Sequence, residues 1–192
     1  DAQESRGLGD VYKRQMNILA VDTAGKTAGV ALLQDDRLLY EVYLDGGMTH
    51  SETLMPMIDS CLKMCGLTCA DIDLYAVNAG PGSFTGLRIG LAAVKGLAFP
   101  RETLCAPVST LEALAAAHTG EGTVLCALDA RRAQVYSAAF DLATHTRLLD
   151  DDARAVTDLA DFVENCKKPL FFVGDGLSLI HISEPTRLLS IS

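Results

Sequence analysis

Nowhere does the chain hold the roughly 20 consecutive apolar residues that a membrane-spanning helix needs. Apolar runs such as 91–94 and 170–173 end at lysine or glycine after a few residues. No basic segment followed by an apolar core and a small-residue cleavage site opens the chain, an absence that predicts a cytoplasmic protein. Basic charge is also scarce, with 16 Lys and Arg against 25 Asp and Glu for a formal net charge of −9. Affinity for a nucleic-acid backbone comes mainly from Lys and Arg displacing counterions, so this balance argues against a large phosphate-binding surface. If the chain works on RNA, another subunit should hold the RNA. Finally, no C-x-x-C pair occurs among the six cysteines. Cys61, Cys65 and Cys69 recur at a helical interval rather than as a zinc knuckle, which predicts reduced core thiols and no metal site.

With 192 residues, 49% of them hydrophobic, the chain can bury one good core or two small lobes. Residues 1–15 show no periodicity and stop just before Met16, where a strand pattern begins. Residues 177–192 break the architecture that precedes them. Both segments resemble translated cloning sequence and are expected to be a non-native leader and tail, outside the fold.

From Met16 the pattern predicts strands over 18–21, 29–33 and 38–44, a three-strand meander turning at Gly25-Lys26 and Asp35-Asp36. Thr49 and Glu52 then have capping-box spacing ahead of Leu54, Met57, Ile58, Cys61 and Leu62 at helical intervals, predicting a helix over 50–65. A strand at 74–77, a helix over 85–99, a strand at 104–107 and a helix capped by Ser109 complete a β-β-β-α-β-α-β-α order. The pattern restarts at Val124-Leu-Cys-Ala-Leu-Asp129, which echoes Ile18-Leu-Ala-Val-Asp22. It continues with strands at 135–140 and 146–149, a helix over 158–166 and a strand at 170–173. The expected organisation is a first lobe over 16–118 and a truncated second lobe over 119–176. Two meander-plus-helix lobes, each opening on a strand that ends in Asp, resemble the actin, Hsp70 and sugar-kinase plan. That is an α/β fold with a nucleotide cleft between its lobes. Fold alone does not give function.

Gly25-Lys26-Thr27 imitates the end of a P-loop, but Ala20 replaces its first glycine and a strand follows where a helix is required. In an actin-like fold the same turn is the first phosphate loop, with Asp22 and Thr23 at its head and Asp129 heading the second, but both read as degenerate: Ala130, Arg131 and Arg132 follow Asp129 where a glycine turn would admit phosphate. The segment Gly80-Pro-Gly-Ser-Phe-Thr-Gly-Leu-Arg-Ile-Gly90 is one residue too long for a dinucleotide fingerprint. It also lacks the glycines that flank Ser83 in a nucleophile elbow. It reads instead as a tight strand-to-helix turn at Gly80, Gly82 and Gly86, and the helix glycines Gly86, Gly90 and Gly96 cost propensity yet permit close backbone approach. Ser83 or Thr85 caps the helix, and Arg88 sits near its start. That helix is apolar nearly all round, with Leu87, Leu91 and Val94 on one face. It requires cover on both sides, by the chain itself or by a partner, and periodicity does not separate the two.

Taken together, Met16-Asn-Ile-Leu-Ala-Val-Asp-Thr-Ala24, His50-Ser-Glu-Thr-Leu-Met-Pro56, the 79–90 glycine segment, Val108-Ser-Thr-Leu-Glu-Ala-Leu114 and Asp129-Ala-Arg-Arg-Ala-Gln-Val-Tyr136 resemble the bacterial TsaB (YeaZ) family, often labelled glycoprotease-like. The resemblance implies a subunit of the machinery that places threonylcarbamoyl on the adenosine beside the tRNA anticodon. Its implied partners are the catalytic paralogue TsaD and the ATPase TsaE, with tRNA held only indirectly and a homodimer as a further arrangement. The paralogue's H-x-x-x-H metal pair is replaced here by Thr110 and Leu114, neither of which can serve as a metal-binding imidazole. No catalytic residue and no cofactor is therefore expected. Docking is expected through Leu54, Met57, Ile58 and Cys61 on one helix and Leu87, Leu91 and Val94 on the other. The competing reading is an enzyme: a small-molecule kinase built on Asp22 and Asp129, or a hydrolase using Ser83.

Overall fold

The computed structural model describes residues 15–176, so the expectations for a foreign leader and tail fall almost wholly outside the described residues. The first lobe is built on β1 (Asn17–Asp22), β2 (Ala28–Gln34), β3 (Arg37–Leu44), β4 (Leu74–Gly80) and β5 (Leu104–Ser109), in the spatial order β3-β2-β1-β4-β5. The meander β1 to β3 is antiparallel, whereas β4 runs parallel to both β1 and β5. Parallel neighbours need crossovers, and α1 (His50–Cys65) and α2 (Phe84–Ala98) precede β4 and β5 respectively. Strand alternation sends Leu19, Val30 and Tyr75 into one core with Leu54, Ile58 and Cys61 of α1 and Val94 of α2.

Helix α1 begins where the sequence places it. The Glu52 carboxylate accepts from the Thr49 amide at 3.1 Å and from its hydroxyl at 2.8 Å, which holds the Glu52 pKa below the usual carboxylate value. It ends at Gly66, whose φ of 67° turns its amide back onto the carbonyls of Leu62 and Lys63.

After α3 (Thr110–Ala116), strands β6 (Thr123–Arg131), β7 (Gln134–Asp141), β8 (Arg147–Ala155) and β9 (Leu170–Val173) form a second sheet in the order β8-β7-β6-β9. Its central strand β6 is antiparallel to β7 and parallel to β9, as β1 is to β2 and β4. The internal repeat is therefore structural, and the chain has the duplicated α/β plan of an actin-like fold. One face of β6 packs Val124 and Cys126 against Leu111 and Ala115 of α3. The other packs Leu125 and Ala127 against Leu159, with the partly buried Phe162 of α4 (Ala160–Asn165). Thus α3 leaves the first sheet in sequence but has its apolar face in the core of the second.

Two elements of the second lobe differ most from the sequence reading. The strand expected at 146–149 runs on to Ala155, because the charged stretch lies on an edge strand and Arg154 reaches the Ser137 carbonyl of β7 at 2.9 Å. The helix expected over 158–166 is a 3₁₀ turn, Val156–Leu159, followed by the short α4. Only Leu159 in this stretch is fully buried, so packing does little to hold a longer helix there.

Candidate functional site

An open cleft of about 1130 Å³ lies between the lobes, and β1 and β6 deliver Asp22 and Asp129 to its lining. Both aspartates perform the same local task. Asp22 Oδ1 accepts from the amide of Ala24 at 2.8 Å, and Asp129 Oδ1 accepts from the amide of Arg131 at 2.6 Å. Beyond them the two loops diverge. Residues 23–28 separate the paired Asp22 and Gly29, whereas Arg131 already pairs with Gln134 across Arg132 and Ala133. Arg131, Arg132 and Ala133 have φ of 66°, 53° and 59°. Non-glycine residues in this region cost about 1–2 kcal/mol each. The second turn is tight, built from side-chain-bearing residues, and places Arg131 at the cleft.

The first loop lines the cleft but is anchored to its own lobe. Thr23, 1% exposed, donates its hydroxyl to the carbonyl of Gly86 at 2.8 Å. The Ser83 amide donates to the carbonyl of Ala24 at 2.7 Å, and His50 Nε2 lies 3.0 Å from the carbonyl of Gly25. Close approach of this kind needs glycine. A Cβ on Gly82 would stand 2.6 Å from the Ala24 oxygen, one on Gly86 2.1 Å from the Thr23 oxygen, and one on Gly90 2.4 Å from the Thr23 hydroxyl. Residues four apart share a helix face, so Gly86 and Gly90 present one glycine surface of α2 to the loop, while Gly82 approaches from the turn ahead of the Ser83 cap. Ser83 Oγ caps α2 by accepting from the Gly86 amide at 3.2 Å. Gly80 supplies the turn out of β4 at φ 121°. Gly96, by contrast, has nothing within 4 Å of a notional Cβ, so the close-approach role read for the helix glycines does not extend to it.

Most of the residues expected at a docking surface are elsewhere. Leu54, Met57, Ile58, Cys61 and Val94 are at most 8% exposed and line the lobe's own core. The sheet claims that face of each helix, so these five cannot meet a partner while the lobe is folded. Leu87 and Leu91 remain half-buried on α2. The exposed large apolar residues of the two helices are Met55 and Met64 on α1, 46% and 74% exposed, and Phe84 on α2, 69% exposed at the edge of the cleft, where Arg88 stacks on its ring at 3.7 Å from the centroid. Arg88 thus belongs to this outer face and not to the turn. Phe84 was visible in the motif, but its neighbours gave no sign that it points outward.

Thr110 and Leu114, one helical turn apart on α3, line the cleft. Thr110 is 7% exposed and its hydroxyl has no hydrogen-bond partner among the described residues. Among the described residues no group of three or more His, Cys, Asp or Glu is placed to hold a metal ion, and no helix is long and apolar enough to cross a membrane.

Residues 46–180 match the profile of TsaD, tRNA N6-adenosine threonylcarbamoyltransferase. The tRNA threonylcarbamoyladenosine biosynthesis protein TsaB of Bacillus subtilis is 34% identical over 85% of this chain and 73% of its own length. Its namesake in Escherichia coli is 38% identical over 65% of this chain, but the match spans only 55% of that protein. Among solved structures, YeaZ from Pseudomonas aeruginosa superposes with a TM-score of 0.72 at 28% identity, covering 92% of this chain and 84% of that one. With the duplicated fold, the glycine-lined loop and these similarities together, the chain belongs to the TsaB (YeaZ) family.

Proposed function

We propose that this chain is a non-catalytic subunit of the cytoplasmic machinery that makes threonylcarbamoyladenosine on tRNA, and that it supports the catalytic paralogue TsaD by docking through the outer faces of α1 and α2. The observation that carries the non-catalytic reading is the pair Thr110 and Leu114 on the cleft wall, where the paralogue has its metal-binding histidines. A hydroxyl and an isobutyl group offer no equivalent of two imidazoles. The docking reading rests on Phe84, held by Arg88 and flanked along α2 by Leu87 and Leu91. An exposed aromatic pre-ordered by a stacked guanidinium loses little side-chain entropy on burial and suits the centre of an interface. TsaE joins this assembly, and a homodimer uses the same faces when the paralogue is absent. The acidic chain leaves tRNA to its partners.

Isothermal titration of the chain with TsaD, alongside reconstituted modification of tRNA, tests this reading. Phe84→Asp and Met55→Asp, at exposed positions of the two helices, should abolish both binding and activation while leaving the circular dichroism spectrum unchanged. Wild-type affinity in both variants would remove the proposed face. ATP-dependent turnover by the isolated chain, lost in Asp22→Ala, would replace the whole reading with an enzyme.

A further inference from the structure

The loop at 23–25 touches the starts of both helices assigned to docking. Thr23 and Ala24 engage the first turn of α2 through the Gly86 carbonyl and the Ser83 amide, and Gly25 engages His50, the first residue of α1. Each contact is specific in geometry. The Thr23 hydroxyl lies between Gly86 and Gly90, and Gly86 admits both the Thr23 carbonyl and the edge of the His50 ring, 3.1 Å from its notional Cβ. Asp22 and residues 24–27 of the same loop also line the cleft, beside His50, Ser83 and Phe84 at the starts of the two helices.

We infer that Thr23 is a positioning residue for partner docking: through the 23–25 loop it sets the relative placement of the N-terminal turns of α1 and α2, and so couples the interlobe cleft to the docking face. The inference rests on the docking reading above. Thr23 makes no contact with a partner and acts only through the helices. Removing its hydroxyl takes away the tertiary donor of the Gly86 carbonyl, which otherwise accepts only within α2, and so frees the first turn of α2 to shift against α1. Coupling of this kind is reciprocal, so a partner bound to the helices must in turn quiet the loop.

The test compares wild type, Thr23→Ser, which keeps the hydroxyl, and Thr23→Val, which keeps the shape. Affinity for TsaD, melting temperature and amide exchange at Ser83, Gly86 and Leu87 are measured for each. Thr23→Ser should bind within about threefold of wild type, and Thr23→Val about tenfold more weakly, with faster exchange confined to the first turns of the two helices. TsaD should slow exchange of the Ser83 amide in the wild type. Equal affinity of Thr23→Val and wild type would overturn the inference, as would a loss in Thr23→Val spread evenly over the exchange of the whole lobe. If Thr23→Val does not fold, His50→Ala cuts the α1 side of the same link, and wild-type affinity in that variant overturns the inference equally. If wild type itself fails to bind TsaD, the docking reading falls. The exchange comparison then decides the loop's role: faster exchange at both helix starts supports it, and unchanged exchange removes it.

Discussion

The Thr23 hydroxyl and the Gly86 carbonyl meet at 2.8 Å although 63 residues separate them, and the contact exists because Gly86 and Gly90 carry no side chains. Gly90→Ala would drive a methyl group to 2.4 Å from the Thr23 hydroxyl, an overlap no rotamer of alanine relieves. A loss of about 1–3 kcal/mol is expected, against which better helix propensity offsets at most about 1 kcal/mol. Chemical denaturation measures the balance, and a Gly90→Ala protein as stable as wild type would show that the loop yields freely.

Gly96→Ala is the matched control. The site is exposed, lies within the same helix and has open space around it. Here the substitution should stabilise the protein by about 0.5–1 kcal/mol through helix propensity alone. Opposite signs at two glycines of one helix, read as shifts in denaturation midpoint, would separate close approach from mere flexibility.

Alkali should weaken the fold in a defined window. Burial disfavours the charged forms and pushes Cys61 up to about 11, and Tyr75 and Cys126 up to about 12, from ordinary values of 9.0 for the thiols and 10.0 for the phenol. Between about pH 9 and 12 the unfolded chain has released these protons while the folded chain keeps them. The unfolded state then binds fewer protons, and stability must fall as pH rises through that range. Below pH 9 these groups exert no such pull. Denaturation midpoints at pH 8 and pH 10 check the sign. Thiol labelling at pH 8 should also modify the exposed Cys105 well before the buried Cys61 and Cys126.

A charged cluster joins α3 to β8. Asp151 accepts from the Ser109 hydroxyl and pairs with Arg147, which also reaches Glu112 at 2.9 Å and lies over the Phe140 ring. The Arg147 and Asp151 side chains are 29% and 28% exposed, so solvent and salt screen them and the pair itself is worth about 1 kcal/mol or less. Asp151→Asn should therefore cost little and lose most of its effect in 1 M salt. Arg147→Ala should cost more at any ionic strength, because it also uncovers Phe140. Equal and fully salt-sensitive losses would contradict that division.

Much of this architecture could be read from residue order. Alternation and helical periodicity are local signals, so β1 to β7, the capped start of α1 and the repeat of Ile18-Leu-Ala-Val-Asp22 in the second lobe were all legible. The orientation of the helices was not. Leu54, Ile58 and Val94 have the same apolar character whether they meet a sheet of their own chain or another protein, and only the fold assigned them inward. Close approach was legible for the helix glycines as a group, but which of them serve it depends on Thr23, which approaches through tertiary structure and meets Gly86 and Gly90 and not Gly96. The end of β8 was missed because its acidic residues suit an edge strand facing water, and composition does not distinguish such an edge from a loop.

The place of α3 bears on whether the protein can be divided. By chain order the first lobe closes near residue 118, yet Leu111 and Ala115, 0% and 2% exposed, complete the hydrophobic centre of the other half. A fragment cut at that point would carry an orphaned helix and leave its neighbour with a bare sheet. The two halves are thus bound to one another as a single inheritable unit, and neither could be shuffled into a new gene without the seven-residue segment that nominally belongs to the first.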